Sequence, residues 1–131
     1  MDIAIIGSGY VGLVTSTCFA HLGHRVLCVD KDVKKIDMLR KGKSPIYEPG
    51  LEEMIRENIE EGRLRFSLSI AQAVRECELI FISVNTPPKE NGEADLSYIE
   101  NVSQEIAKNI KTYRVIIEKS TVPVQTGEWI Q

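Results

Sequence analysis

Residues 3–12 read IAIIGSGYVG, an apolar run followed at once by three glycines in a GxGxxG spacing. The apolar run predicts a buried β-strand, and the apolar residues at helical spacing behind it predict a helix. In that context Gly7 turns the chain tightly, Gly9 lets a pyrophosphate approach the backbone, and Gly12 lets the helix pack closely on the strand. The free N–H groups at the helix start then bind a diphosphate without a basic side chain.

The alternative is that this glycine-rich turn only connects a strand to a helix. An acidic residue at the end of the next strand argues against that alternative. Asp30 follows Gly12 at close to the roughly 20-residue offset at which a carboxylate accepts hydrogen bonds from the adenosine ribose. We therefore predict that the chain binds NAD in preference to NADP, because Asp30 repels a 2′-phosphate. Lys31 and Lys35 complicate this preference, since a nearby cation tolerates the extra phosphate.

Short apolar runs alternate with segments of helical spacing along the chain, a pattern typical of βαβ units and a parallel sheet. We expect one domain, residues 1–131, with a Rossmann-type doubly wound sheet in three layers and the strand order 3-2-1-4-5. The polar alternation of residues 63–67 predicts an edge strand, and the very apolar run 79–84 predicts the sheet centre.

Spacing also predicts which side chains the helices bury. The first helix is expected to bury a stripe of Val11, Val14, Cys18 and Leu22. The second is expected to bury Val33, Ile36 and Leu39, with Asp32 as its N-cap. Pro123 is expected to start a last helix that the sequence cuts off at Gln131. The chain is therefore expected to stop before the last strand or strands of the sheet.

The composition of the 131 residues is that of an ordinary globular protein, with 43% hydrophobic and 27% charged residues and a net charge of −3. Without a basic cluster or a long apolar run, neither nucleic acid nor a membrane is an expected partner. Cys18 and Cys28 are interpreted as core residues, and neither they nor Cys77 suggests a disulfide, a metal site or a nucleophile. Cysteine usage and the lack of a signal peptide favour a cytoplasmic location.

Polar residues follow two of the predicted strands, as Asn-Thr-Pro at 85–87 and Ser-Thr-Val-Pro at 120–123. Both segments are expected at the carboxyl edge of the sheet, where doubly wound folds bind ligands. Turn chemistry alone explains the same residue types, so both interpretations stay open.

Six segments resemble, in the same order, motifs of the N-terminal domain of the UDP-glucose/GDP-mannose dehydrogenases. They read GSGYVG (7–12), VDKDVKKI (29–36), SPIYEPGLEE (44–53), FISVNTPP (81–88), ADLSYIE (94–100) and EKSTVPV (118–124). YEPGL and STVPV are far more specific than GxGxxG. This family oxidises the primary alcohol of a nucleotide sugar to a carboxylate with two NAD.

The resemblance implies a set of NAD contacts. The pyrophosphate would lie against Gly7, Gly9, Tyr10, Val11 and Gly12. Asp30 would bind the adenosine ribose, with Lys35 beside it. The nicotinamide half would contact Val84, Asn85, Thr86, Pro87, Ser120 and Thr121. Thr121 also matches a family threonine that helps to position a water or the reacting sugar carbon, although it could serve as a cofactor wall only.

The sequence departs from the family in two respects. Gln125 stands where many members have glycine, and its side chain is expected to crowd the helix beside the nicotinamide. The chain also lacks the helical dimerisation segment and the second α/β domain with the catalytic cysteine and lysine. The resemblance thus implies a chain that binds NAD without turnover, within a homodimeric or larger enzyme that acts on a UDP- or GDP-sugar.

Two other functions stay open. The first is the NAD-binding domain of another dehydrogenase of the same fold, acting on a hydroxy acid or a hydroxyacyl thioester, against which YEPGL and STVPV argue. The second is a non-catalytic nucleotide-sensing or assembly module, for which the missing active site is the only positive sign.

Overall fold

Eleven strands and helices follow one another within residues 1–130, the part of the chain that the computed structural model describes. The strands are β1 (Asp2–Ile6), β2 (Arg25–Val29), β3 (Leu64–Ser67), β4 (Leu79–Ile82) and β5 (Val115–Glu118). The helices are α1 (Tyr10–His21), α2 (Val33–Arg40), α3 (Leu51–Glu60), α4 (Ile70–Glu76), α5 (Ser97–Asn109) and α6 (Thr126–Ile130). At least one helix separates each strand from the next, as parallel pairing requires.

The five strands form one parallel sheet in the order β3-β2-β1-β4-β5. This confirms the predicted Rossmann-type order and the edge position of β3. The prediction that residues 79–84 form the sheet centre is wrong, because β1 lies there and pairs with both β2 and β4. Leu79 and Phe81 of β4 are only half-buried.

Alternation along β1 divides the core into two parts, one on each face of the sheet. Ile3 and Ile5 pack on one face with residues of α1, α2 and α3. Ala4 and Ile6 pack on the other face with residues of α4 and α5. The predicted three layers are therefore confirmed.

Helix α1 turns a different face to the sheet from the one that spacing predicts. Val11, Cys18 and Leu22 are exposed, and Val14 is only half-buried. The buried residues are Gly12, Leu13, Ser16, Thr17 and Ala20. Small side chains let the helix approach the sheet closely, and the Ser16 and Thr17 hydroxyls donate to carbonyls one turn earlier in the helix. Close packing of small residues, and not the spacing of apolar ones, thus determines which face of α1 is buried.

In α2, Ile36 and Leu39 are buried as expected, but Val33 is exposed. Val33 opens the first turn, directly after the N-cap Asp32, whose side chain accepts from the Lys35 N–H at 3.1 Å. The predicted cap is therefore confirmed, while the burial of Val33 is wrong.

The last helix begins at Thr126 and not at Pro123. Gln125 has a φ of 78°, which interrupts helical backbone between the two residues. Its side chain is exposed, so the expected crowding of the helix is wrong and the cost of Gln125 lies in its backbone. The predicted end at Gln131 lies outside the described residues. Of the helices in residues 1–130, none is long and apolar enough to cross a membrane.

Candidate functional site

A cleft of about 430 Å³ opens at the carboxyl edge of the sheet, between the ends of β1, β2 and β4 and one side of α5. In the sheet, β2 and β3 lie on one side of β1, and β4 and β5 lie on the other. The strand order therefore reverses at β1, and doubly wound sheets bind ligands at such a switch point. Six residues from the predicted site line the cleft: Gly7, Gly9, Asp30, Lys35, Val84 and Asn85.

Packing within the chain itself requires glycine at positions 7 and 12. Gly7 has a φ of 105°, and a Cβ there would lie 2.3 Å from the Ser83 carbonyl oxygen. A Cβ on Gly12 would lie 1.8 Å from the Gly7 carbonyl oxygen. These contacts agree with the predicted tight turn and close helix packing.

Gly9 has no such internal reason to be glycine. Its φ of −67° suits any residue. Among the described residues, a Cβ on Gly9 would have only Asn85 Oδ1 within 4 Å, at 3.6 Å. The space in front of Gly9 is therefore open toward the cleft, as the close approach of a pyrophosphate to the backbone requires.

Helix α1 starts at this open space. Its N-cap residue is Gly9, which has no side chain to accept the first N–H groups of the helix. Those groups and the positive end of the helix dipole are therefore available to an anion. The side chains of Tyr10 and Val11 are exposed, and the Tyr10 hydroxyl donates to Glu48 at 2.5 Å. A contribution of Tyr10 and Val11 to anion binding thus rests on their backbone.

Asp30 follows β2 and is fixed by residues of two loops. Its Oδ2 accepts from the Ser8 N–H at 2.8 Å and the Ser8 hydroxyl at 2.6 Å, and its Oδ1 accepts from the Asp32 N–H at 3.0 Å. Lys35 Nζ lies 3.6 Å from Oδ2. Burial raises the pKa of Asp30, but these hydrogen bonds and the Lys35 charge outweigh burial, so the pKa lies below its ordinary value. The carboxylate is ionised at neutral pH.

The two oxygens of Asp30 differ in what they offer a ligand. Each carboxylate oxygen has about two acceptor sites. Because Oδ1 receives one hydrogen bond from the chain, it keeps room for a second donor such as a sugar hydroxyl. Ser8, which orients the carboxylate, was not among the predicted site residues. The only signal for it in the sequence is a short hydroxyl side chain between the first two glycines.

The loops after β4 and β5 are joined by their hydroxyl groups. Ser120 Oγ accepts from the Val84 N–H at 3.1 Å, and Thr86 Oγ1 donates to the Thr121 carbonyl at 2.8 Å. The structure thus brings 84–87 and 120–121 together, and it gives Ser120 and Thr86 the structural role that turn chemistry suggests. Val84 and Asn85 line the cleft, whereas Thr86, Pro87, Ser120 and Thr121 are not among its lining residues.

Other lining residues at the outer end of the cleft were missed, among them Leu68, Ile70, Tyr98 and Asn101. Lys31, which the sequence indicated only as a cation that tolerates a 2′-phosphate, also lines the cleft. Lys31 Nζ lies 3.7 Å from the centre of the Tyr98 ring. Their positions depend on how α4 and α5 pack against the sheet, and spacing within each segment carries no signal for that.

The three cysteines differ in their exposure. Cys18 is exposed, so its predicted burial is wrong, whereas Cys28 and Cys77 are buried. Burial raises the pKa of Cys28 to about 12 and that of Cys77 to about 11, and both stay protonated at neutral pH. Within residues 1–130, no three His, Cys, Asp or Glu side chains are placed to hold a metal ion.

Comparison with known proteins identifies one family. Residues 1–131 match the model of the UDP-glucose/GDP-mannose dehydrogenase family, NAD binding domain. UDP-glucose 6-dehydrogenase YwqF of Bacillus subtilis is 48% identical over 130 residues, which cover 99% of this chain and 30% of that protein. GDP-mannose 6-dehydrogenase of Pseudomonas syringae is 45% identical over 125 residues, which cover 93% of this chain and 28% of that protein.

Solved structures agree with these relatives. A ternary complex of GDP-mannose dehydrogenase from Pseudomonas aeruginosa matches with a TM-score of 0.96 at 42% identity, covering 99% of this chain and 30% of that one. The chain therefore spans about 30% of the length of the proteins that it resembles.

Proposed function

Since the chain belongs to the UDP-glucose/GDP-mannose dehydrogenase family, as its NAD-binding domain, we propose that its cleft holds NAD in an enzyme that oxidises a nucleotide sugar. The observation that carries the proposal is the open space at Gly9, which meets the uncapped start of α1. The family assignment also means that the alternative of a hydroxy-acid or hydroxyacyl dehydrogenase is wrong.

The residues of the cleft suit the successive parts of NAD. The N–H groups at the start of α1 would bind the pyrophosphate in front of Gly9. Asp30, with Lys35 beside it, would accept hydrogen bonds from the adenosine ribose. The nicotinamide would lie toward Val84 and Asn85, with Thr86, Pro87, Ser120 and Thr121 bordering it.

Asp30 supports a preference for NAD over NADP. Its carboxylate is ionised and receives three hydrogen bonds from Ser8 and Asp32, so it is held in place beside the proposed ribose position. A 2′-phosphate there would meet a fixed negative charge in a partly buried site, where repulsion is stronger than in water. Lys35 lies 3.6 Å from the carboxylate and offsets only part of that charge.

When bound, NAD supplies the hydride acceptor for oxidation of the sugar C6 alcohol. This chain would orient the nicotinamide at the carboxyl edge, and Thr121, exposed at that edge, would help to position a water or the sugar carbon. The oxidation to a carboxylate also needs a base and a nucleophile, which we expect in a second domain. The complete enzyme would use two NAD per UDP- or GDP-sugar and act as a homodimer or larger assembly.

Calorimetric titration of the chain with NAD tests the proposal. We expect micromolar to millimolar affinity for the unchanged chain and no detectable binding for Gly9→Val, since the valine side chain would fill the space proposed for the pyrophosphate. Ala107→Val, on an exposed position of α5, is the control for an added β-branched residue in a helix. Circular dichroism on the same samples reports the fold. If Gly9→Val binds NAD like the unchanged chain, the glycine-rich turn is only a connector and the proposal fails.

A second experiment separates the enzyme from the non-catalytic module. The full reading frame that contains this chain is expressed and assayed with NAD and a panel of UDP- and GDP-sugars. NADH formation is expected for the enzyme, and NAD binding without any turnover would favour the module.

A further inference from the structure

Two side chains meet across the outer end of the cleft. Lys31 follows Asp30 at the end of β2, whereas Tyr98 belongs to the first turn of α5 on the other side. Both line the cleft, and the Lys31 ammonium lies 3.7 Å from the centre of the Tyr98 ring. A cation over an aromatic face at this distance is attracted by the ring. The pair therefore bridges the cleft.

The walls below this bridge are mainly apolar. Ile70, the first residue of α4, and Leu68, just before that helix, line the same cleft, and Leu68 leaves 42% of its surface exposed. Val102 adds an apolar surface from α5, and Asn101 adds an amide group. Glu105 of α5 lines the cleft as well. A slot with largely apolar walls, an aromatic ring, an amide and a carboxylate suits a flat heteroaromatic ring with polar edges.

The slot adjoins Asp30, since Lys31 is the next residue in the chain. Any ring in the slot is therefore next to the carboxylate that would accept ribose hydroxyls. We propose that Lys31 and Tyr98 form a clasp over the adenine end of the cofactor and retain it in the cleft. This inference rests on the proposed function, because it takes NAD as the occupant.

The clasp assigns Lys31 a different role from that of its neighbours. Lys35 lies beside the Asp30 carboxylate, and Lys34 does not line the cleft. The Lys31 charge is directed to the Tyr98 ring, so it acts through that ring and not as a general attractant for the diphosphate. A clasp also needs both of its halves. Loss of either residue should therefore cost about as much as the loss of both.

Binding measurements with four variants test this dependence. Lys31→Met keeps the side-chain stem without the charge, Tyr98→Leu removes the ring, Tyr98→Phe keeps it, and the fourth variant combines Lys31→Met with Tyr98→Leu. The probes are NAD, ADP-ribose, which has the adenine end without nicotinamide, and nicotinamide mononucleotide, which has no adenine. Lys34→Met and Tyr113→Leu are the controls, because both residues are exposed and neither lines the cleft.

We expect Lys31→Met, Tyr98→Leu and the double variant each to weaken NAD and ADP-ribose by about ten-fold, which is the order of one base-stacking contact. In Tyr98→Phe and in the two controls, the affinity for NAD and ADP-ribose should change less than about two-fold. The affinity for nicotinamide mononucleotide should change less than about two-fold in every variant. Faster dissociation of ADP-ribose from the single variants would account for the loss.

Three results would overturn the clasp. The first is unchanged ADP-ribose affinity in Lys31→Met, and the second is a loss of affinity in the double variant equal to the product of the two single losses. The third is a loss of affinity for nicotinamide mononucleotide as large as that for ADP-ribose. If Tyr98→Leu does not fold, Lys31→Met and Tyr98→Phe still decide, because the first must lose ADP-ribose affinity and the second must keep it. A wild-type chain that binds neither NAD nor ADP-ribose would refute the proposed function itself. A chain that binds both, with unaffected variants, would refute the clasp alone.

Discussion

Ser8 donates two hydrogen bonds to a single oxygen of Asp30, from its N–H at 2.8 Å and from its hydroxyl at 2.6 Å. Ser8 is fully buried, so this contact fixes the carboxylate from inside the glycine-rich turn. The glycine-rich turn and Asp30 are therefore joined directly, although the two residues lie 22 positions apart in the chain.

Ser8→Ala should weaken NAD binding by about five-fold, which corresponds to one net hydrogen bond of about 1 kcal/mol. The backbone N–H still holds Asp30, so binding is reduced and not abolished. Calorimetry gives the affinity, with Ser97→Ala, at the exposed start of α5, as the control. An affinity equal to that of the unchanged chain would mean that the hydroxyl does not position Asp30.

Asp30→Ala should narrow the preference for NAD over NADP. The variant loses the acceptor for the ribose hydroxyls and also the charge that repels a 2′-phosphate, so NAD binds more weakly while NADP gains. Titration of both cofactors measures the ratio. Asp37→Ala, an equal charge change on an exposed position of α2, should leave the ratio unchanged. Equal affinities of the unchanged chain for the two cofactors would contradict the role of Asp30.

The pKa of Asp30 predicts how its contribution to stability depends on pH. Because its pKa in the folded chain lies below the ordinary 3.8, the ionised carboxylate stabilises the fold above about pH 4, and this contribution is lost as the pH falls through the folded pKa. We expect Asp30→Asn to be less stable than the unchanged chain by a constant amount near neutral pH, with the difference shrinking below about pH 4. Urea unfolding at several pH values measures it. A difference that grows on acidification would contradict this sign.

Gln125→Gly should stabilise the chain by about 0.5–1 kcal/mol, because glycine adopts a positive φ without steric cost. The gain is limited because glycine also raises the entropy of the unfolded chain. Urea unfolding gives the change, and Gln104→Gly, at an exposed helical position in α5, should destabilise by about 1 kcal/mol. If both variants lose stability equally, the φ of 78° at Gln125 carries no strain.

The chain alone should form no NADH above background from NAD and any nucleotide sugar. Oxidation to a carboxylate needs a nucleophile and a base, and the buried Cys28 and Cys77 are protonated thiols at neutral pH. The assay is absorbance at the NADH band over a long incubation. Turnover that survives repurification and replacement of the three cysteines would reveal an active site within these residues.

The sequence was sufficient for features that depend on local pattern. The parallel sheet followed from the alternation of strands and helices, its strand order from the Rossmann-type fold that the glycine motif indicates, and the placement of Asp30 from its offset to the glycines. The buried face of α1 could not be predicted from apolar spacing, because Gly12, Ser16 and Thr17 are buried there as small residues that let the helix approach the sheet. Tyr98 and Leu68 also escaped prediction, since their meeting in one cleft depends on the packing of α4 and α5 against the sheet.

Strand β1 is paired along both edges, with Val26 opposite Ile3 on one side and Leu79 opposite Ile3 on the other. The first pairing closes a short loop and the second a long one, so chain entropy favours the first. During synthesis, β1, β2 and β3 can therefore assemble while the far edge of β1 still presents unpaired N–H and C=O groups. Such an edge is a template for pairing with another chain. A chain in which β4 has not yet docked therefore exposes this edge of β1 to pairing with another chain.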